Sequence, residues 1–244
     1  MTPGRHAAPS LLVTPGDPDL VARLREWHRR EMQCQIVHDS FLRRGFCDVY
    51  SLAVDGEAIG YGLVDHKFDP GAVDEFFVLP QARAWMLPLF QKLIDTSGAT
   101  RIRAQTNDRL LLLMLYDCAT DIVVENVLFA DGGETQLPAP AGVLERKAGE
   151  AEEWRIVHEG QTAAEGGLLF HYNPPYADIY IEVAETYRRR GYGSYLVQEL
   201  KRRAYTRGNI PAARCNGDNA ASRRTLERAG MVPCGRILRG DIRR

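Results

Sequence analysis

The residues from Asp178 to Ser194, D-I-Y-I-E-V-A-E-T-Y-R-R-R-G-Y-G-S, put carboxylates, arginines and glycines on one short stretch. Its first half alternates: Ile179, Ile181 and Val183 fall on one side, and Asp178, Tyr180 and Glu182 on the other. That is the period of a strand. Arg188, Arg189 and Arg190 then lead into Gly191, Tyr192 and Gly193, and after Ser194 the spacing of Leu196, Val197 and Leu200 is helical. A strand therefore runs through a basic glycine turn into a helix. Glycines let the main chain approach a ligand closely, and a helix N-terminus offers unpaired N–H groups and the positive end of its dipole. Such a turn suits a phosphate or pyrophosphate. It is not the dinucleotide fingerprint G-x-G-x-x-G, whose third glycine would fall on Leu196, a packing residue of the helix.

The spacing Arg188-x-x-Gly191-x-Gly193 resembles the pyrophosphate signature R/Q-x-x-G-x-G/A of the GNAT superfamily, the acyl-CoA-dependent N-acyltransferases. Downstream, Asn219, Ser222 and Gly230 are similar to that superfamily's N-x-x-S/A helix ending at a G-F pair, with Met231 in place of the aromatic residue. Gly230 also suits a helix C-terminus, where a positive φ is needed. The resemblance spans residues 151–240.

That likeness implies attack of a neutral amine on the thioester of acetyl-CoA or another acyl-CoA. Arg188, Arg189, Arg190, Gly191, Tyr192, Gly193 and Ser194 would cradle the pyrophosphate. Main-chain groups of Ile181 and Val183 would meet the acyl and pantetheine part. Asn219 would lie beside the pantetheine or cap the next helix, with Ser222 next to it. Glu182 is the first candidate for the base and Asp178 the second; an ion pair with an arginine is the competing role for Glu182. Glu185 follows the strand and reads as solvated. Many relatives carry a tyrosine seven residues after the asparagine to protonate the thiolate; here that position is Leu226. A thiol pKa of roughly 8.5 makes thiolate a tolerable leaving group without a dedicated acid. Thr225 is a neighbour, Cys215 reads as a small core residue rather than a nucleophile, and His158 and His171 stand singly. The substituted tyrosine keeps a second reading open, a catalytically silent CoA-binding module.

The elements that must position these residues read as two tandem lobes, 1–135 and 136–244, of an α+β class, with mixed twisted sheets and helices on both faces. A loose tail over 1–10 precedes a strand at Leu11 to Thr14 and a helix capped by Asp17, with Leu20, Val21, Leu24 and Trp27 as its apolar stripe. Helical residues from Ser40 to Arg44 stop at Gly45. A hairpin turns at Asp55-Gly56. Strand 72–78, helix 82–96, strand 100–106, helix 109–117 and strand 122–129 follow. This order repeats weakly in the second half, with Val78 and Asn107 placed like Val183 and Asn219. Setting Val78 on Val183 puts Arg83 on Arg188 but Met86 and Pro88 on the two glycines, so the first lobe lacks a cradle. Residues 131–150 read as a connection with a strand at Val143 to Lys147, and strands at 154–158 and 167–172 lead into Asp178. The second half lacks early helices over its acceptor side, which the first lobe is expected to cover.

Composition excludes several classes. The 244 residues suffice for a sizeable core, and a net charge of −1 argues against a nucleic-acid or membrane-surface role. Five cysteines without C-x-x-C spacing point to no disulfide framework or metal site, and to a reducing, cytoplasmic setting. The opening residues lack the apolar core of a signal peptide. The expected partner is a small-molecule amine, with no nucleic acid and no membrane; a homodimer is left open.

Overall fold

The structure, a computed structural model, describes residues 8–32, 36–37, 40–149, 152–172 and 174–243. Residues 1–7 of the tail and Cys34 lie outside them, as does the side chain of Leu20. The chain forms two compact units. Among the described residues the first takes 8–32, 41–123 and 238–243, and the second takes 36–37, 40 and the positions within 124–237.

The first unit contains strand β1 (Leu11–Pro15), helix α1 (Pro18–Glu31), strands β2 (Cys47–Val54), β3 (Glu57–Asp65) and β4 (Ala72–Val78), helix α3 (Met86–Ser97), strand β5 (Arg101–Gln105) and helix α4 (Arg109–Cys118). A short helix α2 (Ser40–Arg43) precedes β2. Strands run in the order β1-β2-β3-β4-β5, all antiparallel except the parallel pair β4–β5. Asp17 caps α1 by accepting from Asp19 N at 2.9 Å, as the sequence predicts. Its core-facing stripe differs from the predicted one. Val21 and Leu24 are buried but Trp27 is 51% exposed, while Arg25 and His28 are buried instead. Positions 21, 24, 25 and 28 share one helical face and Trp27 falls outside it. The predicted helix over 82–96 begins instead as a tight 3₁₀ turn, Pro80–Trp85, before α3.

Strand β6 (Ala119–Asp131) passes from the first unit to the second between Val123 and Val124, and β12 (Met231–Ile242) returns between Ile237 and Leu238. Strand pairing therefore places residues 124–131 with the second unit, earlier than a division at 135, and gives the last residues to the first. In the second unit the order is β6-β11-β10-β9-β8-β7, formed by β7 (Val143–Arg146), β8 (Glu153–His158), β9 (Gln161–Leu169), β10 (Tyr176–Val183) and β11 (Ile210–Asn216). Helices α5 (Tyr192–Thr206) and α6 (Ala220–Arg228) complete it. Strand β9 starts six residues before the strand expected at 167. Its Ala-Glu-Gly-Gly run lacks an apolar alternation because the glycines serve close packing. A side chain at Gly166 would meet Tyr180 O at 2.3 Å, and one at Gly167 the Tyr180 ring at 3.0 Å.

The connection after β6 is irregular but pinned along α5. Lys201 Nζ bonds Asp131 Oδ1 at 2.9 Å and three carbonyls, Gln198 Oε1 accepts from Leu137 N at 2.6 Å, and Tyr192 OH donates to Ala141 O at 2.9 Å. Each unit has its own apolar core. Among the described residues no helix is long and apolar enough to cross a membrane.

Candidate active site

Strand β10 pairs with β9 from Asp178↔Leu169 to its end at Val183↔Ala164. On its other side the parallel pairing with β11 runs only from Tyr176↔Ile210 to Ile179↔Ala213, although β11 continues to Asn216 against β6. Beyond Ile179 the two strands part and leave a wedge. Ala184 N donates to Ala163 O at 3.1 Å, so strand alternation turns the main-chain groups of Ile181 and Val183 toward the wedge. Val183 O accepts from Arg188 Nε at 3.3 Å. The Ile181 side chain packs toward α5 while its main-chain edge faces the opening.

The turn after β10 ends this wedge. Arg189 and Gly191 both have positive φ, 63° and 88°. Gly191 is the N-cap of α5, has no side-chain cap, and its carbonyl takes the first helical bond from Tyr195 N at 3.0 Å. Among the described residues, the N–H groups from Arg189 to Ser194 reach no acceptor. A side chain at Gly191 would meet nothing within 4 Å, so the space over these donors is open. The two glycines do different work. A side chain at Gly193 would press on Thr225 Cγ2 at 3.0 Å and Val183 Cγ2 at 3.1 Å, so this glycine lets the helix seat against β10 and α6. Arg188, Arg189 and Arg190 are exposed, and none forms an ion pair with a described carboxylate. Tyr192 is buried, its ring 5.5 Å from Tyr187 and 6.3 Å from His158.

The other face of β10 carries the carboxylates. Asp178 is 4% exposed; Arg214 lies 3.3 Å from its Oδ2, and its Oδ1 is buried without a hydrogen-bond partner. Burial pushes its pKa up to about 6, with the Arg214 charge pulling the other way. Glu182 is exposed and pairs with no described arginine; across the ladder it faces Glu165, whose carboxylate holds Lys147 at 3.1 Å. Tyr180 points away from the wedge, over Gly167, and donates to Glu153 at 2.8 Å. Burial and that carboxylate raise its pKa to about 12, so it keeps its proton. Glu185 is exposed in the 3₁₀ turn Glu185–Tyr187.

Asn219 caps α6, its Oδ1 accepting from Ser222 N at 3.0 Å. Leu226 is a core residue, and Thr225 spends its hydroxyl on Ala221 O at 2.9 Å. Cys215 is buried, and burial raises its pKa against a hydrogen bond from Ser222, so it stays a thiol rather than a nucleophile. His158 packs on the Tyr187 ring and His171 on Tyr172. Sequence reasoning did not find Arg214, whose guanidinium also stacks on Tyr172 at 4.3 Å. Nothing local marks it, because only the β10–β11 register sets it beside Asp178.

The first unit repeats this plan and closes it. Strands β4 and β5 also part early, after Val73↔Ile102, and Arg83 Nε bonds Val78 O at 3.3 Å as Arg188 does Val183 O. The N-cap matching Asn219 is Asp108, which accepts from Leu111 N, one place beyond the expected Asn107. Arg83 is held by Glu31 at 2.5 Å, so a carboxylate already occupies the arginine. Helix α4 packs on both β4 and β5 and buries Leu110, Leu111, Met114 and Leu115, where α6 buries Leu226 alone. Helix α1 covers the counterpart of the carboxylate face, with Arg25 on Glu75 and with His28 between the Tyr61 hydroxyl and Asp108. Calorimetric titration with CoA should therefore give one site per chain; two sites of similar affinity would refute the contrast between the units.

Residues 128–231 match the family described as Acetyltransferase (GNAT) family. The whole chain is similar in fold to several solved structures. They include a GNAT-family acetyltransferase from Colwellia psychrerythraea (15% identity, 96% of this chain and 100% of that one, TM-score 0.78). A GCN5-related N-acetyltransferase from Sphaerobacter thermophilus shares 16% identity over 96% of each chain, with a TM-score of 0.65. A tandem GNAT protein from the clavulanic acid biosynthesis pathway shares 13% identity over 95% of this chain and 98% of that one, with a TM-score of 0.61. No curated protein matches the sequence. The chain thus has a tandem GNAT fold whose second unit carries the family's motif.

Proposed function

We propose that this chain is an acyl-CoA-dependent N-acyltransferase, with acetyl-CoA as the first co-substrate to test. It would transfer the acyl group to the amine of a small molecule or amino acid derivative. The observation that carries the reading is the wedge beyond Ile179↔Ala213, open at Ile181 and Val183 and ending on the uncapped N–H groups at Gly191. These N–H groups and Arg188, Arg189 and Arg190 fit a pyrophosphate, and the main-chain edge of β10 fits the amides of a pantetheine arm. The Ile181 and Val183 N–H groups are the donors for the acyl carbonyl oxygen.

In the proposed step the amine nitrogen bonds to the thioester carbonyl carbon, the C–S bond breaks, and the amine proton goes to a carboxylate. Asp178 is better supported than Glu182 for that proton. A pKa near 6 leaves Asp178 ionised at neutral pH yet close to the range in which proton transfer is efficient. Glu182 stands in water at the strand end. The thiolate leaves without a protein acid and takes its proton from solvent, consistent with a buried Leu226. The thiols of Cys47, Cys118 and Cys215 support the accompanying proposal of a reducing cytoplasm.

Acceptor-dependent release of free thiol from acetyl-CoA tests the reading. The second reading, a silent CoA-binding module, is favoured by Leu226 alone. It predicts CoA binding at one site with no thiol release for any amine. Under the transferase reading kcat/KM, expressed per neutral amine, should rise through about pH 6 and level off, because the base works deprotonated. A profile flat from pH 5 to 8 would remove Asp178 as base.

A further inference from the structure

Asp178 and Arg214 meet at the closed end of the wedge, on the face of β10 away from α5. Each is incompletely satisfied. Asp178 Oδ1 is buried and lacks a donor, and a buried carboxylate oxygen left bare is costly enough to call for a partner. Arg214 reaches Asp178 through one nitrogen at 3.3 Å, longer than the roughly 2.7–2.9 Å of a strong charge-assisted bond. Its guanidinium lies over the Tyr172 ring and is one quarter exposed. That leaves a flat, pre-organised fork with donors to spare, the arrangement that recognises carboxylates.

A molecule that answers both groups must offer an N–H to Asp178 and an anion to Arg214. The two protein groups are in contact, so the two ligand groups must be close, one or two carbons apart. We infer that the acceptor is an α- or β-amino acid, its amine on Asp178 Oδ1 and its free carboxylate on Arg214; this rests on the transferase reading above. The same arrangement discriminates against other amines. A diamine would bring its second cation to Arg214, and a simple alkylamine would leave the guanidinium without an anion. The chemistry is unchanged: a C–N bond forms, the C–S bond breaks, and Asp178 takes the amine proton.

The test uses the full chain with acetyl-CoA and reads thiol release with glycine, alanine and β-alanine, with their amides, and with propylamine and 1,4-diaminobutane. The free acids should exceed their amides in kcat/KM by about thirtyfold or more, the scale of a lost charge-assisted contact. Arg214→Gln should shrink that ratio to near unity through KM for the acid, and Arg214→Lys should restore part of it. A merely structural arginine would alter acid and amide rates alike. Glycine should also raise the unfolding temperature of the CoA-loaded wild type more than glycinamide does. Amides or the diamine matching the acids would overturn the acceptor class while leaving acyl transfer standing. Thiol release with none of these amines, from a chain that binds acetyl-CoA, would overturn the transferase reading and this inference with it.

Discussion

Asp178→Asn should give a chain that is more stable at pH 8 than the wild type and nearly inactive. Asparagine has the shape of the protonated carboxyl but neither charge nor basicity. The folded pKa of Asp178, about 6, lies above the roughly 3.9 of an unfolded aspartate, so the native state binds the extra proton between those values. Its contribution is therefore neutral below about pH 4, becomes increasingly destabilising as pH rises to about 6, and is constant above. Two pKa units amount to about 3 kcal/mol at most. A gain of about 1–3 kcal/mol for the mutant at pH 8 should vanish near pH 4. At about 2–4 °C per kcal/mol for a chain of this size, thermal melts at the two pH values resolve it. If Asp178 takes the amine proton, turnover should fall about a hundredfold or more, and the limb near pH 6 should disappear from the rate profile. A mutant that is less stable at pH 8, with turnover within a few-fold of wild type, would mean that the ion pair with Arg214 is structural.

Much of this site was legible in the chain because it is local. The alternation from Asp178 to Val183, the turn at Gly191 and the Asn219 cap each depend on residues within a few positions of one another. The features that decide between an open and a closed site are not local. Where β10 and β11 part is set by the register Ile179↔Ala213, and no residue type announces it. Arg214 becomes relevant only because that register sets it beside Asp178. Helix α1 shows the same limit, since a count of apolar residues favours Trp27, whereas the core side is completed by Arg25 and His28, which Glu75 and Asp108 make tolerable inside. Gly166 and Gly167 hid β9, being small for the sake of Tyr180 and Ile181 on the next strand.

The contrast between the units also bears on why one chain carries two copies of one plan. In the first unit the matching groups are served from within: Glu31 serves Arg83, Arg25 serves Glu75, and α4 packs on both β4 and β5. In the second unit the corresponding demands at Arg188, at the β10 edge and at Asp178 Oδ1 are left for something else to meet. A satisfied network adds rigidity, whereas an unsatisfied one costs stability unless a ligand repays it. Acyl-CoA should accordingly raise the melting temperature of the chain, by an amount that grows with the logarithm of its concentration.

Gly191→Val should abolish most CoA binding, and Gly208→Val is its control. Both glycines have positive φ, 88° and 73°, and at both a side chain would meet nothing within 4 Å. Each valine therefore introduces backbone strain without a clash, about 1–2 kcal/mol or somewhat more for a β-branched residue. The two differ in place: Gly191 caps the N-terminus of α5, and Gly208 follows its C-terminus. Only the first valine would stand over the free N–H groups from Arg189 to Ser194. Losing one or two charge-assisted bonds there is worth about 2–4 kcal/mol, or about a hundredfold in dissociation constant. Both mutants should melt a few degrees below wild type without ligand. With CoA added, Gly208→Val should regain the full ligand-induced shift and Gly191→Val almost none. Equal shifts in the two mutants would show that the anion is held elsewhere than on the turn between β10 and α5.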